Sequence, residues 1–200
     1  EGVETGFETE NPGTDVQIEG HGSIQVIRQV TDLNRPVDVV MVADDSLIPD
    51  MMYRTMEGGT RNYTDGYIPF ATNSMVIAYT NRSRYADEIT RENWRKVLAR
   101  PDVRTGFSNP MLDAAGYRAL MVVILAETYY HDTGLFDRLI GTHFDPPLVL
   151  ETDNGTTAVT LPPVLRPSDK RVAVRDGSIY LMSLLSAGGI DYAFEYRSVS

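Results

Sequence analysis

Apolar positions recur at two spacings along the chain, and the switching between them predicts the order of its elements. Val3 and Phe7 lie four apart among Glu4, Glu8 and Glu10, the spacing of an amphipathic helix that runs from the first residue and stops at Asn11-Pro12-Gly13. Asp15-Val16-Gln17-Ile18-Glu19 alternates with the period of a strand. The loop Gly20-His21-Gly22-Ser23 leads into a helical pattern through Ile24, Val26, Ile27 and Val30, with Ser23 where an N-cap belongs. Val37 to Ala43 is a nearly continuous apolar run, as expected of a strand covered on both faces. Helix, strand, helix, strand implies a parallel sheet with crossover helices, hence an α/β protein.

The remaining pattern continues the theme. Tyr67 to Tyr79 carries a strong strand signal broken at Pro69, and Thr90 to Leu98 predicts a short helix with Trp94, Val97 and Leu98 on one face. Arg104 to Ser108 is a short strand-like link into Asn109-Pro110-Met111-Leu112-Asp113 and the longest helix, Ala114 to about Tyr130. Leu148–Thr152 and Thr157–Leu161 flank Asp153-Asn154-Gly155, a hairpin signal. Arg171–Val174 predicts a strand, Ile179–Ala187 a helix ended by Gly188-Gly189, and Ile190–Tyr196 the last strand. The interrupted strand near Pro69 and the final strand read as two crossings between lobes. Lobe one then comprises residues 1–68 and 190–200, and lobe two residues 69–189, with a ligand cleft between them.

Composition narrows the chemistry. The 200 residues carry 18 Lys and Arg against 28 Asp and Glu, a net charge of −10, which argues against a nucleic-acid partner because such binding rests on neutralising many phosphates. Lysine occurs only at Lys96 and Lys170, and every other basic residue except histidine is arginine. With no cysteine, thiolate metal sites, disulfides and a cysteine nucleophile are excluded. The three histidines, His21, His131 and His143, share no metal-ligand spacing on one element.

Candidate chemistry gathers at three helix starts of one design: Gly20-His21-Gly22-Ser23, Asp113-Ala114-Ala115-Gly116 and Asp176-Gly177-Ser178. Each offers backbone N–H groups and the positive end of a helix dipole beside small residues, the geometry that holds an anion. Each is equally an ordinary N-cap, and the pattern alone leaves both readings open.

The segments DVVMVADDSLIP (38–49), PFATNSMVIAYTNRSRY (69–85), GFSNPMLDAAGYRALMV (106–122) and IDYAFEYRSVS (190–200) resemble the archaeal-type molybdate/tungstate-binding protein of an ABC importer. The resemblance implies a two-lobed periplasmic-binding-protein fold of the second topological class, and no enzyme. It implies an oxyanion held by Ser23, by Asp113 with the amides of Ala114 and Ala115, by Ser178 and by Tyr196, with Asp113 a direct ligand of Mo or W. No cofactor is implied beyond the ligand, molybdate or tungstate. The partners are the small oxyanion and a membrane permease, the chain a monomer. The location is extracellular or periplasm-equivalent, with a membrane anchor upstream of Glu1.

Two departures stand out. The family's opening strand with its first serine, and the end of lobe one, are expected to lie outside this sequence. Ser178 stands where many archaeal members have a Glu that works with the Asp to make the metal six-coordinate. A tetrahedral oxyanion, or coordination raised by Asp113 alone, is the resulting expectation. Glu195 neighbours Tyr196 on a strand and is expected to face away from it. Sulfate or phosphate as ligand, and a degenerate, sensor or enzymatic domain on the same fold, are the alternatives.

Overall fold

The computed structural model describes residues 2–200, so Glu1, the first residue of the expected opening helix, lies outside it. Helix α1 (Gly2–Glu10) is followed by an extended stretch, α2 (Ser23–Thr31) and α3 (Leu47–Met52). Then come β1 (Met75–Tyr79), α4 (Trp94–Leu98), β2 (Thr105–Ser108), α5 (Ala114–Tyr129) and α6 (Leu135–Leu139). A single 3-10 turn (Gly141–His143) precedes β3 (Val149–Asp153), β4 (Thr156–Thr160), β5 (Val172–Arg175), α7 (Ser178–Ser186) and β6 (Tyr192–Tyr196).

The main sheet has the order β1-β6-β2-β5, with β2 parallel to both β5 and β6 and β1 an antiparallel edge. Every residue of β2 and β6 is buried, which the near-continuous apolar pattern of covered parallel strands requires. Helices lie on both faces. Phe107, Tyr192 and Phe194 join Ala119, Leu120 and Val123 of α5 in the larger core, while Ala193 packs with Leu181 and Leu185 of α7 on the opposite face. Burying each Leu or Phe contributes about 1.5–3 kcal/mol, so this two-sided sheet carries most of the fold's stability. β6 lies between β1 and β2, so by pairing it belongs to the sheet built from residues 75–175.

The first 74 residues differ from their pattern. Residues 15–19, 37–43 and 67–74 belong to no strand, although the Ser74 carbonyl accepts from the Arg197 N–H at 2.9 Å. Val40 and Val42 pack on Ile27, Ile48 and Met52, whereas Val37, Val39 and Met41 are exposed. The segment is therefore covered on one face and not on both as its apolar run implies, and it lacks the neighbouring backbone that a strand needs for its N–H and C=O groups. The hairpin forms as expected, Asn154 and Gly155 both taking positive φ (48° and 79°), the conformation of a tight two-residue β-turn.

Candidate functional site

Three loops meet where β2, β5 and β6 end. α5 follows β2 and α7 follows β5, so both helices begin at the carboxyl edge of the parallel strands, the usual place for a ligand in such a sheet. Asn109 ties the two loops together: its N–H donates to the Arg175 carbonyl at 2.7 Å and its Nδ2 to Asp176 Oδ1 at 3.1 Å. Gly116 lets α5 begin against β2, because a Cβ there would lie 2.2 Å from the Ser108 carbonyl oxygen. The start of α2 joins the same edge through Gly22, where a Cβ would lie 2.4 Å from the Leu112 carbonyl and 2.9 Å from Asp113 Cβ. Gln25 N–H also donates to Leu112 O at 3.1 Å.

The caps differ from the sequence expectation. Gly22, not Ser23, is the N-cap of α2, and Ser23 opens the helix itself; its Oγ accepts from the Ala43 N–H at 3.0 Å. Neither α2 nor α7, whose N-cap is Gly177, has a side-chain cap. α5 does: Asp113 Oδ1 accepts from Ala115 N–H at 3.2 Å, so one of the amides expected to face a ligand faces Asp113 instead.

Asp113, Ser178 and Tyr196 come together, with Ser23 beside them across the Gly22 contact and Ala114 and Ala115 fully buried beneath. Burial pushes the Asp113 carboxyl above its ordinary range, although the Ala115 and Ala114 amides and the Ser108 and Ser178 hydroxyls pull it back. The Tyr196 phenol is pushed up to about 12, first by burial, while nearby Arg118 opposes the shift. Tyr117 donates a hydrogen bond to Asp44, which also lies 3.0 Å from Arg118. Burial works against ionisation of Asp44, but hydrogen bonds from Tyr117, Arg118 and Ser46 outweigh it and hold the carboxyl at about 2.

Glu195 is the residue that sequence reasoning set aside. Tyr192 and Phe194 pack toward α5 and Ala193 toward α7, so by alternation Tyr196 shares the α5 face and Glu195 the α7 face. That face carries Ser178. Both α5 and α7 start at the sheet's end, so Glu195 lies beside the Ser178 hydroxyl and still feels the charge of Asp113. Its carboxyl is raised above the ordinary range, chiefly by burial, and Asp113 adds to the effect. Among the described residues, Glu195 Oε2, Ser108 Oγ and Tyr196 Oη are buried without a hydrogen-bond partner, and leaving each so costs about 1–3 kcal/mol. The signal was present in the sequence: Glu195 and Ser108 are polar residues inside otherwise apolar, covered strands.

A separate polar hollow of about 270 Å³ lies near Arg82, Arg84 and Arg104. Asp191 offsets part of their charge: it pairs with Arg84 at 2.8 Å and lies 3.7 Å from Arg104 Nε.

Comparison with known proteins follows the same direction. Residues 3–200 match the profile of a family described as bacterial extracellular solute-binding protein. An uncharacterized solute-binding protein of Methanoculleus marisnigri is 41% identical over 200 residues, covering 100% of this chain and 54% of the relative. The molybdate/tungstate-binding protein WtpA of Pyrococcus abyssi is 41% identical over 189 residues, covering 92% of this chain and 50% of its own length. WtpA of Thermococcus kodakarensis is 40% identical over 186 residues, with 92% and 49% covered. The chain thus spans about half the length of these relatives.

Proposed function

The chain belongs to the extracellular solute-binding protein family, and from that premise we propose that it captures molybdate or tungstate for delivery to an ABC-transporter permease. One observation carries the reading: buried polar atoms of Tyr196, Ser108 and Glu195 stand without partners around Asp113, where α5 and α7 begin. Unsatisfied groups of this kind are costly, and a small oxyanion is of a size and chemistry to engage the two hydroxyl donors among them.

In the complex, the Tyr196 and Ser108 hydroxyls and the Ser178 hydroxyl donate to the anion's oxygens. The uncapped starts of α2 and α7 add backbone N–H groups and the positive ends of their dipoles. Ser23 donates its hydroxyl proton, which the hydrogen bond its oxygen accepts from Ala43 N–H leaves free. Asp113, capping α5, faces the metal centre of the anion. None of these donors is a side-chain cation, so a protein of net charge −10 holds a dianion through local dipoles. Two lobes of the second binding-protein class close over the anion and exclude water, the chain acting as a monomer outside the cytoplasm, anchored to the membrane. The WtpA relatives at 40–41% identity support this ligand class.

Calorimetric titration with molybdate, tungstate, sulfate and phosphate tests the reading. Molybdate or tungstate is expected to bind most tightly. Tighter binding of sulfate or phosphate replaces the metal oxyanion as ligand, and no heat from any of the four overturns the proposal.

A further inference from the structure

We propose that the hollow beside Arg82, Arg84 and Arg104 is a second binding site of the chain, and that it takes a phosphate group. The inference goes beyond the reading given to the first site and does not rest on it.

The hollow sits at the opposite end of the main sheet. Arg104 immediately precedes β2, Asp191 immediately precedes β6, and Thr80 follows the antiparallel β1, so the three mark the amino edge of the parallel strands. The first site lies past the far end of β2, whose four residues put about 13 Å between the two places.

Three guanidiniums and one carboxylate line a volume of about 270 Å³. Asp191, its side chain only 5% exposed, is the template: its oxygens accept from the Arg84 and Arg104 N–H groups and from Arg84 Nη1 at 2.8 Å. Little of it is left for the other two cations. Arg82 forms no ion pair among the described residues, and Arg104 Nε comes no closer to Asp191 than 3.7 Å. Asp102 stands 3.9 Å from Arg84 Nε, but it is half-exposed and outside the lining. The hollow is a net positive spot on a chain of net charge −10.

Structural duty accounts for one terminal nitrogen of each arginine. Arg82 Nη2 donates to the Ser186 carbonyl and Arg104 Nη2 to the Gly188 carbonyl at 2.7 Å, both at the carboxyl end of α7, while Asp191 holds Arg84 Nη1. These bonds fix where the guanidiniums stand. Arg82 Nη1, Arg84 Nη2 and Arg104 Nη1 have no protein partner among the described residues, and Arg104 Nε is buried without one. A helix end is served by a single cation, whereas three pinned forks with donors to spare are the equipment of an anion site.

The choice of phosphate follows from charge and shape. With Asp191 subtracted, the lining carries two positive charges, which a phosphate monoester matches near neutral pH and a single carboxylate does not. Forks arriving from two loops each meet a different oxygen of a tetrahedral group, whereas a planar carboxylate is filled by the two donors of one fork. The Thr80 and Ser83 hydroxyl oxygens lie 3.4 Å apart, so one of their two protons remains to donate as well.

Amide chemical shifts of the ¹⁵N-labelled full chain, titrated with inorganic phosphate and diphosphate at low ionic strength, test this. The amides of Arg82, Arg84, Arg104 and Asp191 are expected to move together and saturably. Arg82→Gln leaves the Asp191 pairs intact and is expected to weaken binding roughly tenfold or more, with little change in melting temperature. Arg82→Lys, which keeps the charge and gives up the fork, is expected to weaken it too, and serves if the glutamine variant does not fold. Vesicles of phosphatidylglycerol form the second arm. Sedimentation with wild type but not with Arg82→Gln assigns the phosphate to a lipid headgroup; diphosphate binding without sedimentation assigns it to a dissolved molecule, and either outcome upholds the site. Shifts confined to Ala115 and Ser178 would place the anion at the first site and overturn the inference. So would undiminished binding by both variants, or the absence of both saturable shifts at the hollow and Arg82-dependent sedimentation. None of these outcomes touches the molybdate reading, which fails separately if molybdate and tungstate do not bind.

Discussion

Asp44 accepts the Tyr117 hydroxyl proton in a hydrogen bond and pairs with Arg118 at 3.0 Å, fastening the loop before α3 to the first turn and a half of α5. Ser46 completes the arrangement, its hydroxyl donating to Asp44 Oδ1 at 2.8 Å. Elsewhere the first 74 residues meet the main sheet's helices chiefly at Gly22, so this carboxylate is a principal link between the two parts of the chain. Its pKa gives the link a pH signature. Asp44 falls from an ordinary 3.8 to about 2 in the folded protein, so its contribution is complete above the unfolded value and lost as pH falls between them. Asp44→Asn is expected to cost about 2 kcal/mol at neutral pH, with the difference from wild type closing toward pH 2. Urea unfolding of both proteins across that range checks it; a difference independent of pH would assign the loss to packing.

Gly22 has no room for a side chain. A methyl group there would stand 2.4 Å from the Leu112 carbonyl oxygen and 2.9 Å from Asp113 Cβ, and both obstacles are fixed by the start of α5. Gly22→Ala is expected to push α2 outward, costing about 1–3 kcal/mol. The same displacement withdraws the start of α2 and Ser23 from the anion, so affinity falls as well. Thermal unfolding and calorimetry on one preparation read both effects, and a stable variant of undiminished affinity would show that α2 does not reach the ligand.

Asp113 does two things that substitutions can separate. As N-cap it holds the Ala115 amide, and as a carboxylate it adds negative charge to the site. Asp113→Ala removes both and is expected to destabilise the free protein by about 1 kcal/mol. Asp113→Asn keeps an acceptor for the Ala115 amide, so its free stability stays near wild type while molybdate affinity drops. Equal stability losses in the two variants would mean that the charge, not the cap, holds the start of α5.

How much of this was legible in the sequence depends on which interaction makes each element. α5 and α7 were readable because helices are local: a small or capping residue, an apolar face and a terminal glycine lie within one stretch of chain. The strands β1, β5 and β6 were readable as apolar runs bounded by turns. Residues 37–43 misled because a run of apolar residues does not report whether another strand lies alongside or whether both faces are covered. α3 and α6 escaped because six and five residues show no period, and α6 begins at Gly134 in a left-handed conformation, without a capping side chain. The candidate site divided in the same way. Asp113 and Ser178 could be singled out at helix starts and Tyr196 through the resemblance, but Glu195 could not be placed by its strand face alone. Its position follows from two helices on opposite faces starting at one sheet edge, which is tertiary information.

Tyr196 provides the cleanest separation of binding from stability. Its ring is buried at the end of β6 and its hydroxyl has no partner among the described residues, so the free protein gains nothing from the oxygen and loses its solvation. Tyr196→Phe keeps the ring and removes that cost, so the free protein is expected to be as stable as wild type or slightly more so. The bound anion then loses a hydrogen bond from a neutral donor to a charged acceptor, a loss of about 1.5–3 kcal/mol, or roughly tenfold to a hundredfold in affinity. Ser108, fully buried with an unpartnered Oγ at the end of β2, is expected to behave alike on Ser108→Ala, apart from the small void left behind. Both variants therefore raise or hold the melting temperature without ligand while shrinking the upward shift that molybdate produces. A Tyr196→Phe protein whose molybdate-induced shift equals that of wild type would take the phenol out of the site.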